Sequence, residues 1–371
     1  MSQSVWATAQ EYDVTVISFA QDAPGPVPEP WQRLGIEVKT VPHRPAPTPV
    51  ALAQGLFGKL PYTLARYRSP AFARVVDECV RTLRPAFVLA SNLHTASYVD
   101  CLNGVPLVLR EQNLEHLWMR RYAEESLRGL ARVYAAIQAR RIEAAERAFC
   151  RAAALTLAIQ DLERDALRAL APGAWIETLP VGLDLGRYRE PRPDEPPVVL
   201  LAGSFAWRPN ASGAIRFLAD GWPRVRAALP NARLRVVGKS QPDDLVRAAR
   251  AANADVVPAV PSIAEELARA AVMVVPLWSG AGARVKIMEA LAARLPVVAT
   301  PIGAEGLGLT PGRHYVEGAS AEELGDRTSA LLRDRELRSL LAREGRGHAE
   351  AHWSQDAVAR LQNDLVGRIA R

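Results

Sequence analysis

The sequence predicts an α/β protein with two doubly wound domains facing each other across a cleft. Three observations predict it. Short apolar runs alternate with longer helical patterns along the chain, as parallel sheets covered on both faces require. The stretch EPRPDEPP at 190–197, with four prolines and no apolar periodicity, divides those runs into two sets. The segment PLWSGAGARVKIMEALAARLPVVATPIGAEG at 276–306 sets glycine loops at the ends of two successive strand candidates, where open α/β sheets bind ligands.

Taken in order, the first set of strand candidates is 12–20, 36–42, 86–91, 106–111, 154–159 and 176–182. The second is 197–204, 233–239, 254–260, 271–277, PVVAT at 296–300 and 314–318. Residues 21–50 are proline-rich but flank a strand, so they read as ordered loops. No internal repeat is visible.

Composition narrows the function classes. A chain of 371 residues, 49% of them hydrophobic, supports two ordinary cores. No apolar run reaches membrane-spanning length, and the start lacks a basic region followed by a hydrophobic segment, which predicts a cytoplasmic location. Cys79, Cys101 and Cys150 are too widely spaced for a disulfide framework or metal knuckle. His348 and His352 form a helical i,i+4 pair, but no carboxylate or cysteine completes a ligand set, so no metal is expected. The net charge of +6 is almost all arginine without a basic tract or aromatic platform motif, which argues against nucleic acid.

The segment 276–306 reads as an anion site. Gly280 and Gly282 permit close backbone approach, the following helix turns its positive end to the loop, and Arg284 and Lys286 add full charges. On that helix Val285, Met288, Leu291, Ala292 and Leu295 make one apolar stripe with Glu289 at its edge. A carboxylate there needs a partner, either Lys286 one turn back or a ligand's hydroxyls. After the next strand, Gly303, Ala304 and Gly306 surround Glu305. Cations and amides for phosphates, beside carboxylates for hydroxyls, suit a ligand carrying both.

These residues resemble the retaining glycosyltransferases of the GT-B fold, family 4, which have two Rossmann-like domains. The resemblance covers the C-terminal half through Gly203, Ser204, Trp207, Pro209 and Asn210, through Pro276–Ala290, and through Gly303–Leu307. It implies an acceptor-side domain at 1–190, a nucleotide-sugar domain at 197–353, and a last helix in 354–371 crossing back to the first domain. It further implies that Arg284 and Lys286 bind the donor diphosphate, that Glu289 bonds the ribose, and that Gly303–Gly306 lies by the donor sugar. Many relatives carry a glutamate where this chain has Ala281, and Glu305 is expected to take part of that role. By resemblance, no metal or other cofactor is needed, and front-side attack guided by the leaving phosphate replaces a covalent intermediate.

In the first half, PLVLREQNLEHLWMRR at 106–121 runs from a strand into a helix and places Glu111, Gln112, Asn113 and Glu115 at the strand's carboxyl end. The related pattern is H-N-x-E, so Asn113 and Glu115 match while Gln112 replaces a histidine and its proton chemistry. His94 follows another strand and is a second cleft candidate. Asn113, His94 and Glu305 are the expected catalytic residues, with Gln112 and Glu115 on the acceptor side. LPVGLDLGRY at 179–188 matches a P-N-G-V-D segment at Gly182 and Asp184, with Val181 in place of Asn. Relatives begin with a strand, a glycine-rich loop and a helix, which MSQSVWATAQ is too short to hold. The first domain is therefore expected to lack one parallel strand and to expose a sheet edge near Val14–Phe19, either because the true start lies upstream or because the protein is shortened.

The leading expectation is transfer of a sugar from a UDP- or GDP-linked donor to a saccharide or lipid-linked acceptor. Its rival is a non-catalytic nucleotide or saccharide binder on the same fold. A dinucleotide-dependent oxidoreductase is disfavoured, because no G-x-G-x-x-G follows an early strand. Helical residues 118–151 carry paired arginines among aromatics with interleaved acids, so a peripheral membrane contact stays open beside a solvated helix.

Overall fold

The structure, a computed structural model, describes residues 2–20, 27–44, 48–189, 191–280 and 282–370. Ala281, Glu190 of the proline-rich divider, and parts of the 21–50 stretch lie outside the described residues. The chain divides into two compact units, one of residues 1–180 with 358–371 and one of residues 181–357.

All twelve strand candidates contain strands. In unit 2 these are β7 (Val198–Ala202), β8 (Arg233–Val237), β9 (Asp255–Val257), β10 (Val272–Val275), β11 (Val297–Ala299) and β12 (Val316–Glu317). They form one parallel sheet in the order β12-β11-β10-β7-β8-β9, which reverses direction between β7 and β10. Every residue of β7, β10 and β11 is buried, because helices cover both faces and the strands are unbroken apolar runs.

The helix Val285–Ala292 is buried more widely than its predicted stripe. Ile287 and Ala290 join Met288, Leu291 and Ala292 in the core. The helix Arg335–Trp353 packs against it: a Cβ on Gly345 would stand 2.7 Å from Leu291 Cδ2. Residues 191–197 are pinned within unit 2, with Arg192 N–H donating to Ala268 O at 2.6 Å and Asp194 paired with Arg269 at 3.0 Å.

In unit 1 the six strands are divided. β1 (Thr15–Ala20) pairs in parallel with β2 (Glu37–Pro42), while β3 (Val88–Ala90), β4 (Leu107–Arg110), β5 (Leu155–Ala158) and β6 (Ile176–Thr178) form a separate parallel sheet. Among the described residues no strand bonds to the second edge of β1 or of β3. All six residues of β1 are only half-buried. Ahead of β1 the chain forms the helix Ser2–Thr8. Gln362, on the last helix Gln355–Gly367, donates to Ser4 O at 3.1 Å and to Thr8 Oγ1 at 2.9 Å, and Val358, Leu365 and Val366 of that helix share a core with Val108, Leu155 and Leu157.

Candidate functional site

In unit 2 the connections leaving β7 and β10 diverge from the reversal point of the sheet, which opens a crevice at the strands' carboxyl ends. Gly203 ends β7 with φ 154°; a Cβ there would stand 2.9 Å from Lys286 Nζ and 3.0 Å from Asn210 Nδ2. Asn210, in the first turn of the helix Arg208–Arg216, is buried and bifunctional. Its Nδ2 donates to Ser204 O at 2.8 Å and its Oδ1 accepts from Lys286 Nζ at 2.6 Å. The lysine thus reaches from the first turn of one helix to the loop of the neighbouring strand.

Arg284 precedes Lys286 by two residues and is buried. It donates to Gly280 O at 3.2 Å and to Ile302 O at 3.4 Å, and its guanidinium carbon lies 5.6 Å from the centre of the Trp207 ring. Trp207 in turn lies flush against Gly280, whose φ of 110° and lack of a Cβ let the loop pass over the indole. Burial pushes Lys286 down to about 7, and the Arg284 charge adds to that. No carboxylate pairs with Lys286 among the described residues, so the pocket carries positive charge that an anion would relieve.

Glu289 differs from the expected ion pair. Lys286 is taken by Asn210, and the Glu289 carboxylate instead accepts from Tyr188 Oη at 3.3 Å. Burial raises Glu289 above its ordinary value, opposed by the Tyr188 bond and the Arg187 charge. Burial and Glu289 also raise the Tyr188 phenol.

In the loop after β11, Thr300 Oγ1 accepts from Gly303 N–H at 3.0 Å and donates to Leu277 O. Ala304 N–H returns to Thr300 O at 3.1 Å. These two amides are therefore occupied within the turn rather than aimed outward. Gly306 has φ 78° and its N–H has no partner among the described residues. Glu305 is exposed and its carboxylate makes no hydrogen bond or ion pair among them. Gly282 is half-buried with φ 93°.

Unit 1 gathers the other candidates. His94 lies on the short helix Leu93–Ala96 after β3, whose start Asn92 caps by accepting from Thr95 N–H at 3.0 Å. His94 Nδ1 is 3.5 Å from Glu115 Oε1 and the ring meets Tyr67 edge-on at 4.6 Å. Burial lowers His94. Glu115 opens the helix Glu115–Ser126 and is pushed up to about 7 by burial, with the Glu146 charge adding. Gln112 Nε2 donates to Ser91 O at 2.9 Å, tying the β4 loop to the β3 loop, whereas Asn113 is exposed.

One partner went unread in the sequence. Glu146, on the helix Gly129–Ala152, is fully buried and accepts from the backbone N–H of His116 at 3.2 Å while its other oxygen bonds the His116 ring. It thereby caps the helix that carries Glu115, whose N-cap residue Leu114 offers no side-chain bond. Glu111 is buried with Oε1 unpartnered, and burial together with Glu146, Glu115 and Glu163 raises it well above the carboxylate range. The missed signal was positional: Gln138, Ile142, Glu146 and Cys150 repeat at i,i+4 on one buried face.

Residues 196–334 match the family described as Glycosyl transferases group 1. This part of the chain is a glycosyltransferase domain. No curated protein matches the chain. Solved glycosyltransferase structures share its fold. Sucrose-phosphate synthase from Thermosynechococcus elongatus aligns with a TM-score of 0.71 at 17% identity, over 99% of this chain and 92% of that one. HepE from Anabaena, in complex with UDP and glucose, aligns at 0.68 and 13% identity over 99% and 95%. WaaG, a glycosyltransferase involved in lipopolysaccharide biosynthesis, aligns at 0.68 and 18% identity, also over 99% and 95%. The fold of the chain is that of the GT-B glycosyltransferases, and the Lys286–Asn210 crevice belongs to the glycosyltransferase domain.

Proposed function

We propose that the chain is a retaining glycosyltransferase of family 4 that moves a sugar from a UDP- or GDP-linked donor to a saccharide or lipid-linked acceptor. The observation that carries this is Lys286, half-buried and bonded to Asn210 with no carboxylate partner among the described residues, beside Arg284 at the reversal point of the unit 2 sheet. In this reading the two cations hold the donor diphosphate and stabilise the charge it gains when the bond from the anomeric carbon to phosphate oxygen breaks. The acceptor hydroxyl attacks from the same face, and its proton passes to the departing phosphate oxygen. No metal takes part. Glu289 accepts from the ribose, the Gly303–Gly306 turn and Glu305 lie by the donor sugar, and His94, Asn113, Gln112 and Glu115 serve the acceptor. The setting is cytoplasmic, at or near the membrane, in cell-surface polysaccharide or glycoconjugate synthesis. Support comes from a neighbour of this fold described with UDP and glucose.

The divided sheet of unit 1 favours a second reading, a nucleotide or saccharide binder without turnover. Calorimetric titration with UDP and GDP, followed by assay of the nucleotide sugars, separates the two readings. Binding of one nucleotide, weakened about 100-fold in Lys286→Ala, is expected, since truncating one partner of a buried charge contact costs about 3 kcal/mol. Silence with both nucleotides would defeat the donor site. Binding without release of sugar from either nucleotide sugar would favour the non-catalytic reading.

A further inference from the structure

Unit 1 holds a cavity of about 540 Å³ beyond the carboxyl end of β2, lined by His43, Arg44, Lys59, Arg66 and Arg68 among others. Its size is that of small-ligand sites. No Asp or Glu lines it, and among the described residues no carboxylate pairs with its arginines or its lysine. Arg66 Nη1 donates to Tyr62 Oη at 3.0 Å, whereas Nε is buried and neither Nε nor Nη2 has a hydrogen-bond partner among those residues. That edge of a guanidinium can grip two oxygens of a phosphate or carboxylate. Four cations around one hollow repel one another until an anion enters.

Its walls are fixed by bonds from elsewhere in the unit. Gln138, fully buried on the helix Gly129–Ala152, donates to Gly55 O at 2.9 Å and accepts from Tyr62 N–H at 2.7 Å, and Arg141 of the same helix donates to Leu60 O at 3.2 Å. These bonds hold the turn that carries Lys59 and the short helix Tyr62–Ala65 that leads into Arg66. Arg68 donates to Ser97 O, and Ser97 Oγ donates to His94 O at 2.7 Å. The basic wall is thereby bonded to the end of the helix Leu93–Ala96, on which His94 stands. A site held in place before its ligand arrives loses less entropy on binding.

Aromatic rings continue from the cavity toward the acceptor candidates. The His43 ring lies 6.0 Å from Tyr67, and Tyr67 meets His94 at 4.6 Å. Tyr67 is exposed and its hydroxyl has no partner among the described residues, so an apolar ring and a polar tip stand between the cations and the His94–Glu115 pair. A sugar that carries a charged group matches this layout: the charge among the cations, the sugar ring beside Tyr67, and a hydroxyl toward His94. We propose that the acceptor is an anionic saccharide, bearing a phosphate or a carboxylate, and that Arg44, Lys59, Arg66 and Arg68 select it by holding that group. This deepens, and rests on, the reading that His94 and Glu115 serve the acceptor; it does not depend on the donor site.

Calorimetry of the full chain with hexose 6-phosphates and hexuronates, each against its parent hexose, tests it. At least one charged sugar should bind about tenfold or more tightly than its neutral parent, and that advantage should shrink as salt rises. Arg44→Gln with Lys59→Gln, both exposed, should weaken the charged sugar about tenfold and leave the neutral parent unaffected, with thermal unfolding unchanged. In NMR spectra the charged sugar should move the His94 ring signals as well as those of His43, whereas inorganic phosphate should move His43 alone. Titration with UDP and GDP reads the donor site separately, so silence there counts against the donor reading and not against this one. Equal affinity for charged and neutral sugars, indifference to the cavity substitutions, or His94 signals unmoved by a bound sugar would each overturn the proposal. So would inorganic phosphate binding as tightly as every charged sugar, which would give the cavity to a free anion. Cavity-dependent flotation with phosphatidylglycerol vesicles, without binding of any charged sugar, would overturn it in favour of a lipid head group.

Discussion

Six strands make one unbroken sheet in unit 2 and a two-plus-four arrangement in unit 1. In unit 2 the strand numbers rise outward from one place, between β7 and β10. That place lies inside the sheet, so the two diverging loops are held by bonded strands and can fix Lys286 against Asn210. In unit 1 the strands are divided into β1-β2 and β3-β4-β5-β6, and order at the strand ends depends on side chains instead: Gln112 to Ser91, His94 beside Glu115, and Glu146 under His116. A sheet positions its site through the backbone; a divided sheet transfers that work to buried polar contacts.

The largest expected effect follows from that difference. Glu146→Ala leaves the His116 ring and backbone N–H buried without their acceptor, at a cost of about 3 kcal/mol or more. Relief of the charge pressing on Glu111 and Glu115 offsets part of it. Hydrogen exchange should show lost protection in the helix Glu115–Ser126 and none in β7–β11. Glu146→Gln, which keeps an acceptor for the N–H, should lose less. Uniform loss across both units would mean that the contact does not have the local role given to it.

The same difference governed what could be read from the sequence. Strands such as VVLLA and VMVV are unbroken apolar runs because both their faces are covered, so every strand was legible. The unit 2 cations were legible because glycines, charge and a helix start fall within a few residues. Pairings across long stretches of chain were not: Asn210, itself part of the motif that carries the resemblance, is 76 residues from the Lys286 it bonds, and Glu146 is 30 from His116. Arg44, Lys59, Arg66 and Arg68 fit no motif, and only folding makes them one cavity. Glu289 was legible as a carboxylate in need of a partner, yet Tyr188 rather than Lys286 supplies it. β1 has one edge that no strand bonds among the described residues.

That edge offers the next test. Amides of β1 that point away from β2 lack a strand partner among the described residues, whereas β7 is bonded on both sides. Exchange at alternate β1 positions should be about 100-fold faster than in β7, reflecting local opening below the global stability. Protection equal to that of β7 would show that something covers the edge and would remove the contrast between the units.

A smaller effect concerns pH. Lys286, held at about 7 by burial and Arg284, loses its charge as pH rises, and a diphosphate favours the charged form. Nucleotide binding should therefore take up a proton above neutrality, and affinity should fall by up to about tenfold per pH unit there. Below about pH 7 the lysine is already charged and affinity should level off until the phosphate itself protonates. In Lys286→Ala the alkaline slope should vanish. A slope that persists would assign the proton to another group.

Tyr188→Phe should act most gently, because it removes one bond of 3.3 Å to a half-buried carboxylate. The expected cost is about 1 kcal/mol at neutral pH. Glu289 is already raised by burial, and losing the Tyr188 donor raises it further. A carboxyl whose folded value exceeds its unfolded one binds more protons when folded, so its ionisation destabilises the fold as pH climbs through that window. The deficit of the variant should thus be largest at neutral pH and shrink toward acid, where Glu289 is protonated in both proteins. Denaturant titrations across that range measure it directly. A deficit independent of pH would mean that Tyr188 acts on this helix through packing alone and leaves the Glu289 charge untouched.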